Sequence, residues 1–97
     1  MNIQALMKQA QNMQKDMMKI KEEIDRTEFT GESSFVTVTV NGAKELLKVK
    51  INTEEIAKDE IELLEDMIVV AINDAFAKVD KLTEEKMGKF SNIPGLF

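Results

Sequence analysis

Carboxylates are the most abundant reactive side chains in this sequence, and one group of them falls within a short stretch. The group consists of Glu54, Glu55, Asp59, Glu62, Glu65 and Asp66. Paired carboxylates can act as a general acid and base, or they can hold Mg²⁺. These six lie around a predicted helix start, where the helix dipole favours negative charge, and no glycine-rich phosphate loop is nearby. We therefore predict no catalytic residue, no metal site and no cofactor.

The composition excludes other chemistries. The chain of 97 residues has no Cys and no His. It therefore lacks the residues for a thiol nucleophile, a Ser/His/Asp triad or a zinc site with the usual nitrogen and sulfur ligands. We predict that the protein is not an enzyme and that it has no small-molecule substrate.

Charge is distributed along the chain in blocks of alternating sign. The net charge of −5 argues at first against a polyanionic partner. The first 21 residues, however, hold four lysines and one aspartate, a local balance of +3, whereas residues 51–66 hold seven acids and one lysine. The amino-terminal segment is therefore basic although the whole chain is acidic.

The amino-terminal segment has the spacing of a long helix with one apolar face. Its apolar residues recur at alternating intervals of three and four positions and form a seam, which consists of Ile3, Leu6, Ala10, Met13, Met17, Ile20 and Ile24. A heptad of this kind predicts one helix of about 25 residues that buries only a narrow strip. Lys8, Lys15 and Lys19 point away from the strip, and Arg26 and Thr27 end the pattern.

Three short strands are predicted after this helix. Glu28 to Thr30 reads as the first strand, ended by a turn at Gly31. From Phe35 to Val40 the sequence alternates strictly, which predicts a half-buried strand with its three valines on one face.

Asn41-Gly42 is a strong signal for a hairpin turn into the third strand. A two-residue loop would pair Val36 with Leu47, whereas a four-residue loop would pair Val38 with Leu47 and Val36 with Val49; both registers stay open. In the third strand one predicted face carries the apolar residues Leu47, Val49 and Ile51. The other face carries Leu46, Lys48 and Lys50.

A second long helix closes the predicted fold. Asn52-Thr53 is expected to cap a single turn, and Asp59 with Glu62 resembles a capping box that opens the helix. The helix should run from about residue 60 to residue 87, with Gly88 as a stop. We assign residues 1–90 to one domain and residues 91–97 to a flexible tail, which could also dock on a partner subunit.

These elements predict an α+β fold in the order α-β-β-β-α, with a three-stranded antiparallel meander between two long helices. Both helices are longer than the sheet that they could cover, so a single chain would leave the seam and much of Met67–Ile72 in contact with water. We therefore predict an intertwined homodimer with projecting helical arms. The expected interface residues lie on the second helix: Met67, Val70, Ala71, Ile72, Asn73 and Phe76.

The sequence also predicts a location. It begins without a basic segment followed by a long apolar stretch, and its longest apolar run, Met67–Ile72, is far shorter than the roughly 20 residues that span a bilayer. We expect a cytoplasmic protein without a membrane partner.

Six segments, in this order and spacing, carry a resemblance to a known family. They are Met7–Gln14, Phe29–Ser33, Val38–Gly42, Leu64–Met67, Ala71–Ala75 and Pro94–Phe97. Together they resemble the YbaB/EbfC family of bacterial nucleoid-associated proteins over nearly the whole chain. The resemblance implies a small α+β subunit, a tight dimer with helical arms likened to tweezers, DNA binding in the bacterial nucleoid, and no enzyme activity. Many relatives carry a glycine-rich linker where Ser33-Ser34 leads directly into Phe35, so the first hairpin should be tighter here.

Two functions are consistent with these features. The first is binding of duplex DNA, mainly through phosphates and with weak sequence selectivity, because lysines contact phosphate as point charges and the chain has one Arg and no Tyr or Trp. From charge placement we predict seven contact residues: Lys8, Lys15, Lys19, Lys48, Lys50, Lys86 and Lys89. The alternative is a protein interaction module that docks replication or repair proteins and reaches DNA only indirectly.

Overall fold

The computed structural model describes residues 2–88. Its elements are α1 (Ile3–Arg26), β1 (Glu28–Ser33), β2 (Val36–Asn41), β3 (Leu46–Ile51), a 3₁₀ turn (Lys58–Glu60) and α2 (Ile61–Met87). The strands form one antiparallel sheet in the order β1-β2-β3. The predicted α-β-β-β-α fold is confirmed. The tail predicted at residues 91–97 lies outside the described residues.

The first strand is longer than predicted, and the turn expected at Gly31 is wrong. β1 continues through Gly31 to Ser33, and Gly31 pairs with Val38. A Cβ atom at Gly31 would collide with the backbone oxygen of Ala71 and lie 2.6 Å from the backbone nitrogen of Ala75. Gly31 is therefore needed for the close approach of α2 to the sheet rather than for a turn.

The connection between β1 and β2 is a two-residue loop. Ser33 pairs with Val36, and Ser34 adopts a positive φ of 52° between them. The tight first hairpin predicted from the missing glycine-rich linker is confirmed.

The turn between β2 and β3 has a register that differs from both predicted ones. Val38 pairs with Val49, Val36 pairs with Ile51, and Leu47 is an extra residue between two ladder pairs. The backbone nitrogen of Lys44 donates to Asn41, Lys44 adopts a φ of 62°, and the nitrogen of Asn41 donates to Glu45. A three-residue loop with a left-handed third residue gives this arrangement.

The extra residue also changes which side chains share a face. Leu46 lies opposite Val40, so it belongs to the same face as Val49 and Ile51 rather than to the face of Lys48. The prediction for Leu46 is therefore wrong, because a strict alternation does not hold across a bulge.

The core lies between the sheet and α2. Val36, Val38 and Val40 are buried on one face of β2, as their alternation predicts, and they contact a stripe of α2. The stripe consists of residues spaced by four positions, namely Met67, Ala71, Ala75 and Val79. Two alanines in the middle of the stripe let the helix approach the backbone of β1 closely.

The start of α2 differs from the prediction. No helical turn follows Asn52-Thr53, where Asn52 instead donates from its backbone nitrogen to Phe35 and from its side chain to Thr37. The expected capping box of Asp59 and Glu62 is also wrong, because the carboxylate of Glu60 accepts the backbone N–H of Ala57 at 3.4 Å and the 3₁₀ turn leads directly into the helix. At the other end α2 stops before Gly88, as predicted.

α1 projects away from the sheet. Its amino-terminal end is capped by Asn2, its last turn is closed by the Thr27 hydroxyl on the Glu23 oxygen, and Ile24 is its one buried residue. Helices of 24 and 27 residues are about 36 and 40 Å long, so a long axis of 71 Å requires them to overlap only partly. We call residues 3–20 the arm, and the sheet with α2 the body.

Candidate nucleic-acid interface

The arm carries its lysines on one face. At about 100° per residue, Lys8, Lys15 and Lys19 fall within about 40° of one another and almost opposite the centre of the seam. We call these three residues the lysine stripe. All three are exposed, and they span about 16 Å along the helix axis.

The lysine stripe has no ion-pair partners among the described residues, unlike three other lysines of the chain. Lys21 pairs with Asp25 at 3.5 Å, Lys44 with Asp80 at 2.7 Å, and Lys78 with Asp74 at 3.7 Å. Within residues 2–88, no carboxylate forms an ion pair with Lys8, Lys15 or Lys19. The charge of the stripe is therefore available to an external anion.

Neutral amide side chains accompany the stripe. Gln4, Gln11 and Asn12 are exposed and lie on the same half of the helix as the lysines. Amides donate hydrogen bonds to phosphate oxygens as well, so these residues belong to the candidate surface although they are not among the contacts predicted from charge placement. Their position on the helix wheel is the signal that identifies them.

The other predicted contact residues lie elsewhere. Lys48 and Lys50 pair with Thr39 and Thr37 on the sheet face that points away from the buried valines, and Lys86 lies in the last turn of α2. Lys89 lies outside the described residues. The structure thus distributes the predicted lysines over separate surfaces instead of gathering them in one site.

The acidic group does not form a site in the described part of the chain. Its six side chains are exposed on the segment before α2 and on the first turns of α2. Among residues 2–88, no three Asp or Glu side chains come close enough together to hold a metal ion. Neither α1 nor α2 is long and apolar enough to cross a membrane.

The residues predicted for a dimer interface do not form one surface. Met67 and Ala71 are buried in the chain's own core. Phe76 lies 6.0 Å from the Lys44 nitrogen on the flank of α2 near the β2–β3 turn, and Ile72 is one helical turn away on that flank. The set is completed by two exposed residues, Val70 and Asn73.

A different apolar surface is uncovered on β3. α2 packs over β1 and β2 but makes little contact with β3, whose unpaired edge has no neighbouring strand among the described residues. Leu46, Val49 and Ile51 face the same side of the sheet as α2, yet about 40% or more of each is exposed. This surface was not predicted from the sequence, because the sequence alone does not show which strands α2 covers.

Comparisons with known proteins identify the family of this chain. The model of the YbaB/EbfC DNA-binding family matches residues 1–93. A nucleoid-associated protein of Ligilactobacillus salivarius is 42% identical over 99 residues, which cover 99% of this chain and 95% of that protein. A nucleoid-associated protein of Lactococcus lactis subsp. cremoris is 44% identical over 94% of each chain.

A solved structure shows the same fold. A crystal structure of an uncharacterized protein from Helicobacter pylori superposes with a TM-score of 0.76 at 22% identity, covering 93% of this chain and 97% of that one. The profile match and the relatives span almost the full length of the sequence. The chain is therefore a member of the YbaB/EbfC DNA-binding family.

Proposed function

We propose that this protein binds duplex DNA as a homodimer, with the lysine stripes of its two arms in contact with phosphates. The observation that carries the proposal is the placement of Lys8, Lys15 and Lys19 on one exposed face of a projecting helix, without carboxylate partners among the described residues. The names of the relatives support a location in the nucleoid of a bacterial cytoplasm.

The net negative charge does not prevent this mode of binding. Of the 18 acids, 11 lie on α2 and the segment before it and five lie at residues 22–32, whereas residues 3–20 hold three lysines and one aspartate. At about 0.15 M salt, charges farther apart than about 8 Å are largely screened. A phosphate beside Lys8 and Lys15 therefore interacts chiefly with the lysine stripe.

The contacts that we propose carry little sequence information. A lysine ammonium recognises phosphate as a point charge, and neither Tyr nor Trp is present to stack on bases. Lys48, Lys50, Lys86 and Lys89 are secondary contacts in this proposal, because they lie on other surfaces or outside the described residues. Binding should therefore depend weakly on sequence and strongly on salt.

The dimer is proposed from the apolar surface on β3. Leu46, Val49 and Ile51 continue the apolar face of the sheet beyond the edge of α2, beside Ile72 and Phe76. A second copy that covers this surface would remove it from water and hold two arms in one particle. A stable interface buries about 800 Å² on each partner, so it must extend beyond these residues. In this proposal Val70 and Asn73 lie at its periphery.

Binding to a random duplex at two salt concentrations tests the DNA proposal. With six lysines on two arms, the slope of log affinity against log salt should be about −5, which lowers affinity about a thousandfold between 50 and 200 mM salt. The variant Lys8→Glu/Lys15→Glu should lose most of the binding and flatten the slope to about −2.

A matched control separates the stripe from net charge. Lys58→Glu/Lys81→Glu changes the charge by the same amount, on lysines that are exposed away from the arm. Equal losses in the two double variants would contradict a specific role for the stripe. A salt-independent affinity would contradict phosphate contacts altogether.

Sedimentation tests the dimer. The wild type should sediment as a particle of about 22 kDa, twice the chain mass of 11.0 kDa, and Val49→Lys/Ile51→Lys should shift it toward one chain. The control Thr37→Lys/Thr39→Lys places lysines on the opposite face of the sheet and should leave the dimer intact. If purified dimer fails to bind bare DNA, the interaction module becomes the better description.

A further inference from the structure

The apolar seam of the arm has no covering element in the described part of the chain. Ile3 is 69% exposed and Leu6 is 48% exposed, whereas Met13, Met17 and Ile20 are half-buried. A row of apolar side chains with heptad spacing is the usual mark of a helix face that packs against another helix. The seam therefore has the pattern of an interface between helices.

The spacing of the seam places its residues at the positions through which two helices pack in a coiled coil. In a heptad written abcdefg, the side chains at a and d of one helix insert between those of its neighbour. The arm has three residues at a and three at d, in the order Ile3, Ala10 and Met17, then Leu6, Met13 and Ile20. The arm of a second copy has the same spacing and can supply the matching face.

The side chains that flank the seam are complementary between two parallel copies. Position g holds Gln9 and Asp16, position e holds Gln14 and Lys21, and all four are exposed. In a parallel pair, a g residue faces the e residue that lies five positions later in the other chain. Gln9 then faces Gln14, and Asp16 faces Lys21, twice in a symmetric pair. No two like charges face each other across the seam.

Charge also selects the direction of the second helix. In an antiparallel pair, g residues face g residues and e residues face e residues, so Asp16 cannot face Lys21. Within residues 2–88, Asp16 forms no ion pair. Lys21 pairs with Asp25 of its own helix at 3.5 Å and has three donors, so it can contact a second carboxylate as well. The parallel direction is therefore favoured.

We propose that the arms of two copies pack in parallel through their seams. This inference rests on the homodimer proposed above, because a seam of about two and a half heptads is too short to pair two separate helices. In one particle the arms have a high effective concentration, which compensates for the short contact. The lysine stripes, almost opposite the seams, then lie on the two outer sides of the pair, so duplex DNA contacts the outside of the paired arms.

Disulfide cross-linking tests the pairing in the absence of DNA. The natural chain has no cysteine, so Leu6→Cys gives each copy one thiol. Identical d positions face each other in a parallel pair, so mild oxidation should join two chains about tenfold faster than in the control Gln4→Cys. Gln4 is exposed at the same end of the arm but points away from the seam.

Sedimentation of the reduced variants separates failure of arm pairing from failure of the homodimer. Equal cross-linking rates in a particle of about 22 kDa, twice the chain mass of 11.0 kDa, would overturn arm pairing alone. Equal rates in a particle of one chain mass would overturn both proposals. In mixed dimers, faster cross-linking of Leu6→Cys to Met17→Cys than to itself would indicate an antiparallel pair and would also overturn the inference.

Hydrogen exchange supplies a measurement that needs no thiol. Met13→Lys places a charge at a d position of the seam, so amides of the arm should exchange about tenfold faster than in wild type. The control Met18→Lys introduces the same side chain at a position that is 55% exposed and lies outside the seam, so it should leave those rates within about twofold. Equal effects of the two variants would contradict packing through the seam.

The cross-linked protein also tests where the lysine stripes lie. The disulfide form of Leu6→Cys should bind a random duplex within about twofold of the reduced form, because its stripes stay on the outer sides of the pair. A loss of about tenfold or more that reduction restores would contradict the outward placement. Absence of binding in both forms would overturn the proposed DNA contacts, whereas the cross-linking rates would still decide whether the arms pair.

Discussion

The body and the arm use their apolar residues in opposite ways. In the body, Val36, Val38 and Val40 are completely buried against a stripe of α2 with two alanines at its centre. In the arm no residue is buried, although its seam is just as regular. Equally regular spacing of apolar residues therefore produces a buried core in the body and an exposed apolar strip on the arm.

The difference has a physical origin in shape. A sheet and a helix are wide enough to cover each other, whereas one helix that leaves the body has no neighbour to bury its apolar strip. The body should therefore respond strongly to changes in packing, whereas changes in the arm should affect local helix stability and binding. Substitutions in the two regions, ranked by their expected effect on unfolding, test this contrast.

The largest effect is expected at Gly31. Valine suits a strand intrinsically, so Gly31→Val isolates the collision of a side chain with the backbone of Ala71 and Ala75. We expect a loss of more than about 4 kcal/mol, or no folding, in urea denaturation at fixed protein concentration. Gly88→Ala is the control, since a Cβ there meets no atom of residues 2–88 within 4 Å. A Gly31→Val variant as stable as wild type would contradict the close approach.

A smaller loss is expected from a cavity in the core. Val38→Ala should lower the free energy of unfolding by about 2 kcal/mol, because Val38 is completely buried between the sheet and α2. The control Val69→Ala removes the same atoms from a side chain that is 57% exposed, and it should change stability by less than about 0.5 kcal/mol. Equal effects of the two would show that Val69 is buried in the assembled protein.

The features predicted correctly from the sequence are those with local causes. The alternation of Val36, Val38 and Val40 indicates a half-buried strand by itself, and the seven-residue repeat indicates α1 by itself. The order and number of the elements follow from such periods. The lysine stripe also follows, because its position opposite the seam is a property of one helix.

The features predicted wrongly depend on contacts between distant segments. Gly31 by itself suggests a turn. Its actual role depends on α2, which packs against it through Ala71, 40 residues later in the chain. The register of β3 depends on Lys44 adopting a left-handed conformation. A lysine rarely adopts this conformation, so the sequence does not indicate it. Ala71, which was predicted for a dimer interface, is buried within its own chain, and nothing local in a sequence distinguishes burial within a chain from burial between chains.

An intermediate effect is expected where a polar group ties α2 to β1. The carboxylate of Asp74 accepts the backbone N–H of Glu32 at 3.1 Å and pairs with Lys78, which also donates to the backbone oxygen of Thr30 at 2.7 Å. Asp74→Ala should cost about 1 kcal/mol in urea denaturation. Asp25→Ala removes only the exposed pair with Lys21 within α1 and should cost about 0.3 kcal/mol. Equal losses of stability would mean that the Asp74 contacts between α2 and β1 contribute no more than an exposed ion pair.

The smallest effect on global stability is expected at the outer end of the arm. The side chain of Asn2 accepts the backbone N–H of Ala5 at 3.3 Å, so Asn2→Ala removes the cap and should destabilise the first turn of α1 by about 1 kcal/mol. Because that turn makes no contact with the body's core, the urea midpoint should stay unchanged while amides of residues 5 and 6 exchange about fivefold faster. Asn2→Asp keeps an acceptor and adds a charge that the helix dipole favours, so it should protect the same amides. A shifted midpoint in Asn2→Ala would show that the arm folds together with the body, and the contrast between the two regions would then be one of exposure alone.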